Sequence, residues 1–95
     1  SDDDIIAMKS IAIVQRGEKK DFYDLYFLMN QKGIGLKEVI SLCKKKYKKH
    51  FNPPLLVKAI VYFKDAEEQK IKEIDKEWQV IKNYFVKIVK NYFTE

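Results

Sequence analysis

An all-helical fold, a small bundle of about five helices, is the class this sequence predicts. Three observations carry the prediction. Apolar residues recur at three- and four-residue spacing along most of the chain, and no segment sustains the alternation of a half-buried strand. Only 3 glycines and 2 prolines interrupt 95 residues. Hydrophobic residues make up 46% and charged residues 35% of the chain, enough for one core and a solvated surface but not for two cores. A single helical domain over residues 1–95 follows.

The first helix runs from about Asp4 to Arg16, with an aspartate cap, acids against the N-terminal dipole and Gly17 as its stop. A second begins near Asp21, after Glu18-Lys19-Lys20, and continues through Phe22, Leu25 and Met29 to the break at Gly33-Ile34-Gly35. A third, about Leu36 to Lys49, buries Leu36, Val39, Ile40, Cys43 and Tyr47 on one stripe. Asn52-Pro53-Pro54 closes it and opens a short fourth helix carrying Leu55, Leu56, Ala59, Ile60 and Phe63. Lys64 to Asp75 is polar and reads as a loop. Asp75 then caps a last helix whose buried face is Trp78, Ile81, Tyr84, Phe85, Ile88, Val89 and Tyr92.

Cysteine usage and hydropathy exclude whole classes. The lone Cys43 cannot form an intramolecular disulfide and has no Cys/His cluster beside it, which argues against a disulfide-stapled scaffold and a zinc module and for a reducing, cytoplasmic setting. No apolar run approaches the ~20 residues of a membrane span, so no membrane partner is expected. The chain opens on Ser1-Asp2-Asp3-Asp4 without an initiator Met and reads as a piece of something longer. Its net charge of +5 permits attraction to phosphates.

No glycine-rich phosphate loop, HExxH, CxxC pair or nucleophile elbow is present. His50 has no orienting partner in its vicinity and reads as a solvated residue, while Cys43 lies on an apolar stripe and reads as core.

One constellation resists a bland explanation. Lys9 stands between Ile5 and Ile13 at four-residue spacing, so its ammonium emerges from an apolar stripe and needs a counter-charge. Asp21 and Asp24, three apart, project from one face of the second helix and would attract cations or a metal. The short connection returns the second helix antiparallel to the first, which brings Lys9 or Arg16 close to Asp24. A purely structural arrangement fits the same spacing: Asp21 caps the second helix while Asp24 forms a buried ion pair with Lys9 or Arg16.

These residues resemble the AbiEii/AbiGii-type nucleotidyltransferases, toxins of bacterial abortive-infection and toxin–antitoxin systems. The family carries D-I-x-A-M-K, then R-G, then K-D-F-x-D-L-Y. This chain has Asp4-Ile5-Ile6-Ala7-Met8-Lys9, Arg16-Gly17 and Lys20-Asp21-Phe22-Tyr23-Asp24-Leu25-Tyr26 in that order. The motifs cover about the first 30 residues; Val61 to Glu68 and the aromatic terminal helix resemble the family's helical tail more loosely. The resemblance implies that the intact protein moves a nucleotide unit from a nucleoside triphosphate to an acceptor hydroxyl, with RNA, especially transfer RNA, as acceptor and Mg2+ as cofactor. It assigns Lys9 to the nucleotide, Arg16 beside it to steadying the phosphate or the carboxylates, and Asp21 or Asp24 to the catalytic set. The family's Gly-Ser or Gly-Gly start and paired metal-binding acids belong to an N-terminal α/β domain with no counterpart here. This chain is therefore expected to bind no cofactor alone, to be inactive alone, and to have that missing domain as its partner.

Two further surfaces carry expectations. Lys44-Lys45-Lys46-Tyr47-Lys48-Lys49-His50-Phe51 interleaves cations with rings, and Lys45, Lys46, Lys48 and Lys49 are candidate nucleic-acid contacts. The competing explanation is a lysine-rich helix end favoured by the dipole, with Tyr47 and Phe51 as core anchors. The first helix is also apolar around more of its circumference than one core-facing stripe needs. An exposed patch there or around Phe22 to Phe27, or self-association through it, is expected. A non-enzymatic helical module that binds nucleic acid or protein is the alternative to the enzyme reading.

Overall fold

The computed structural model describes residues 1–94. Its elements are α1 (Asp2–Gln15), α2 (Lys19–Lys32), α3 (Leu36–Tyr47), a 3-10 turn (Lys48–His50), α4 (Pro53–Ala59), α5 (Lys64–Glu67), α6 (Lys72–Asp75) and α7 (Trp78–Thr94). The all-helical class is as the sequence predicts. The helix count exceeds about five because the polar segment from Lys64 folds into two single-turn helices instead of a loop.

Local chemistry sets the boundaries. The Ser1 hydroxyl accepts from the Asp4 amide, and three aspartates face the positive end of α1. Gly33 ends α2 in the left-handed region at φ 67°, and the Ile34 amide reaches back to the Met29 carbonyl at 3.1 Å. α2 starts two residues earlier than the sequence reading, because Glu18 is its cap and Asp21 lies a turn inside. Asp75 belongs to α6 and does not cap α7.

α1 and α2 pack antiparallel, α3 lies across α1, and α7 packs mainly on α2, α3 and α6. Ile6, Ala7 and Ile13 of α1 meet Phe22, Leu25 and Met29 of α2 and Val39, Ile40 and Cys43 of α3 in one core, which Ile81 and Phe85 of α7 extend. Burial raises the Cys43 thiol above its ordinary value, as expected of a packing residue and not a nucleophile. The segment Lys64 to Asp75 is held to this core by buried Ala66 and Ile74. Among the described residues no helix is long and apolar enough to cross a membrane.

Lys48, where α3 passes into the 3-10 turn, has φ 53° and ψ −129°. A side chain is strained there and glycine is not. Lys48→Gly is expected to stabilise the domain by about 1 kcal/mol, the strain relieved exceeding the extra chain entropy of glycine. Thermal unfolding checks it, and a lower midpoint in the variant refutes the assignment of strain to this residue.

Candidate functional site

The turn Arg16-Gly17-Glu18 reverses the chain so tightly that residues of α1 and the first turns of α2 meet side by side. Gly17, at φ 59°, supplies the left-handed step. Asp21 then caps α2 from its first turn: the Glu18 amide donates to Asp21 Oδ2 at 3.2 Å, and the Asp21 amide donates to the Glu18 main-chain carbonyl at 3.0 Å. The Glu18-x-x-Asp21 spacing carried that signal, although Asp21 itself was expected at the cap position.

Two cations and two carboxylates predicted from the sequence converge here. Lys9 Nζ lies 2.8 Å from Asp24 Oδ2 and 3.6 Å from Asp21 Oδ1. Arg16 grips Asp21 with both ends of a fork, Nε to Oδ2 and Nη2 to Oδ1, each at 2.8 Å. The two aspartates differ sharply in access: Asp21 is 0% exposed, Asp24 40%. Burial alone pushes the Asp21 carboxyl up, but the Arg16 hydrogen bonds and charge, the Glu18 amide and the Lys9 charge outweigh it and hold it below the ordinary carboxylate value. Both Asp21 oxygens are thereby committed. Asp24 carries Lys9 on one oxygen and faces a groove of about 290 Å³ lined by Ile5, Lys9, Tyr23, Asp24, Phe27 and Leu28. Spacing left open which aspartate stays accessible; the structure leaves Asp24. The ion pair it makes is half-exposed, not buried.

The donor set formed by Asp21 and Asp24 does not fit a divalent cation by itself. Among the described residues no three His, Cys, Asp or Glu groups converge. Arg16 fills both oxygens of Asp21, and Lys9 neutralises Asp24. An ammonium has three donors, and the Lys9 ammonium can turn one to a phosphate oxygen without leaving Asp24.

Beside the groove, α1 and α2 leave apolar side chains uncovered: Ile5, Met8 and Phe27 are 42%, 55% and 52% exposed. These are exposed apolar residues of the kind expected on the first helix and the Phe22 to Phe27 surface, and α7, which packs on α2, α3 and α6, leaves them outside.

The basic run separates into different surroundings. Tyr47 is half-buried and Phe51 buried, so both anchor the chain. Lys45, Lys46, Lys48 and Lys49 are exposed. Lys46, however, pairs with Asp4 at 3.5 Å, and Lys45 acts on Asp3, so the acidic start of α1 partly neutralises two of the four.

A second polar node was not legible in the sequence. Lys19, 3% exposed, donates from Nζ to the Gln69 carbonyl and to Asp75 Oδ1, both at 2.7 Å, and lies 5.1 Å from the centre of the Trp78 ring. Its main-chain amide donates to Gln69 Oε1. This buried lysine ties the first turn of α2 to a segment 50 to 56 residues away, beyond any sequence periodicity.

The ion pairs of both nodes and of Glu67 give the fold a pH dependence. Asp21 and Asp75 are held below their ordinary value of 3.8, and Glu67, paired to Lys82, below 4.5. Groups depressed in the folded state stabilise it above their unfolded values, and that contribution is lost as pH falls through the folded ones. The thermal midpoint should therefore hold steady from pH 7 to about 5 and fall below about 4. Trp78 fluorescence, read during the same titration, should change with it. An unchanged midpoint at about pH 3 would mean that these pairs do not stabilise the fold.

A bundle of this helical class, with a lysine from its first helix set between two aspartates of its second, is a domain that presents fixed charge at a shallow groove. The chain belongs to the AbiEii nucleotidyltransferase family: residues 2–91 match the family described as "Nucleotidyl transferase AbiEii toxin, Type IV TA system". A relative, "Uncharacterized protein aq_aa25" of Aquifex aeolicus (strain VF5), is 47% identical over 91 residues, which cover 96% of this chain. The chain spans 44% of that relative's length. No solved structure matches the chain.

Proposed function

We propose that this domain is the C-terminal helical portion of a nucleotidyltransferase toxin and supplies part of its nucleotide site. In this reading the intact protein transfers a nucleotide unit from a nucleoside triphosphate to an RNA acceptor, with transfer RNA the favoured class. The observation that carries the reading is the Lys9 ammonium, set 2.8 Å from the accessible Asp24 and opening on a groove. Phosphoryl and nucleotidyl transfer depend on positioning and charge neutralisation more than on covalent work by the protein. Lys9 binds and orients the phosphates. Asp24 holds Lys9 in place and offers its remaining oxygen to the site. Arg16 and Asp21 act through them, by fixing the register of α2 against α1.

Mg2+ and the triphosphate belong to the intact protein, with the metal held by acids outside this chain. The exposed Ile5, Met8 and Phe27 are the face on which the missing N-terminal domain packs, which supports the reading because the patch adjoins the Lys9 groove. A label-transfer assay tests the proposal. Protein carrying this domain together with its upstream region is incubated with α-labelled triphosphates, Mg2+ and transfer RNA. Labelled RNA is the expected product; none with any of the four triphosphates overturns the assignment.

A further inference from the structure

Three grooves on the described surface are lined by at least one aspartate: Asp65 in one, Asp3 and Asp4 in another, Asp24 in the third. Two further grooves have no carboxylate among their described lining residues, and they share a wall. Tyr92, half-buried near the end of α7, lines both. On one side of it lies a groove of about 480 Å³ with Lys37, Ile40, Ser41 and Lys44 of α3. On the other lies an apolar one of about 290 Å³, formed by Pro53, Pro54, Val57 and Lys58 against Phe93.

We infer that this two-part surface binds single-stranded RNA, with backbone phosphates on the α3 side and an unstacked base on the Phe93 side. Lys37 and Lys44 are two helical turns apart, roughly 10 Å along the axis, with the Ser41 hydroxyl between them. Their flexible stems let both ammonium groups reach phosphates of one strand. Neither makes a salt bridge among the described residues, in contrast to Lys46, which Asp4 engages. Of the basic run this surface takes Lys44, joined by Lys37 from outside the run, while Lys46 is turned to Asp4.

The apolar side favours a single strand over a duplex. Phe93 is 70% exposed, the most exposed of the large hydrophobic side chains, and its ring stands 5.5 Å from that of Tyr92 at 74°. An exposed ring beside a proline wall gives a stacking platform for a base, which a duplex keeps inside its own stack. A simple acidic chain would use the lysines and leave this platform empty.

The inference does not depend on nucleotide transfer, because binding is read without any triphosphate. Fluorescence anisotropy of labelled oligouridylate with the 95-residue chain, at about 50 and about 200 mM salt, provides the test. Binding at the lower salt is expected, weakening steeply at the higher. The double variant Lys37→Ala/Lys44→Ala should lose about tenfold in affinity and flatten the salt slope by about 1.4, two contacts at about 0.7 each. Phe93→Ala should lose several-fold at both salts, since stacking is not screened. Lys45→Ala/Lys46→Ala, on the acidic side, should change little. All these side chains are exposed, so the variants keep the fold, which circular dichroism verifies. No binding at low salt, an equal loss in the Lys45/Lys46 variant, or equal affinity for a duplex or for polyglutamate of matched charge overturns the inference.

Discussion

Lys9→Ala is expected to lower triphosphate-dependent labelling of RNA at least about a hundredfold in the intact protein, the usual cost of removing one preorganised charge from a polar transition state. The domain should remain folded. Lys9 is 24% exposed and its nearest partner, Asp24, is 40% exposed, so the carboxylate left behind is solvated cheaply, at about 1 kcal/mol or less. Asp24→Ala should behave alike. Arg16→Ala forms the contrast, because it strips the bidentate partner from Asp21, a carboxylate with no exposure. Leaving that charge without its main partner should cost about 3 kcal/mol. Transfer rate and thermal stability measured on the three variants separate the roles. Equal stability losses for Lys9→Ala and Arg16→Ala, with transfer unchanged, would move Lys9 from the nucleotide site to the scaffold.

The contrast between Asp21 and Asp24 also marks where sequence reading reaches its limit. That Lys9 meets the two aspartates was legible, because a short connection forces α1 and α2 side by side and helical spacing then puts the three residues on facing surfaces. Which aspartate stays accessible was not. It depends on the reach of Arg16 around the turn at Gly17, a matter of ångströms that no periodicity encodes. The long helices followed the same division. α3 and α7 carry one apolar stripe each, and the stripe is what packs. α5 and α6 were read as loop because charge dominates their composition. Their order comes from buried Ala66 and Ile74 and from Lys19, whose partners are remote in the chain. The patch on α1 was legible as an excess of apolar residues, though not which of them, Ile5 and Met8, would be left outside.

The largest loss of stability is expected from Phe22→Ala. Phe22 has no exposed surface, and its ring contacts three others drawn from different parts of the chain: Phe63 at 5.4 Å, Phe85 at 5.7 Å and Trp78 at 5.8 Å. Truncation removes the buried ring and leaves a cavity that three aromatic neighbours cannot collapse to fill, a change that costs roughly 3–5 kcal/mol. A domain of this size is stable by about 5–15 kcal/mol, so the variant should be marginal at room temperature. Phe22→Leu keeps most of the volume and should lose about 1.5 kcal/mol. The consequence reaches the candidate site, because Phe22 sits between Asp21 and Asp24 and fixes the rotation of α2 that aims Asp24 at Lys9. Urea unfolding gives the two stabilities, and Trp78, the single tryptophan and a direct neighbour of the lost ring, reports the local change by fluorescence. A Phe22→Ala variant that loses less than about 1 kcal/mol would show that α2 is held by its polar contacts to α1 and to Gln69 and Asp75, with the aromatic cluster secondary.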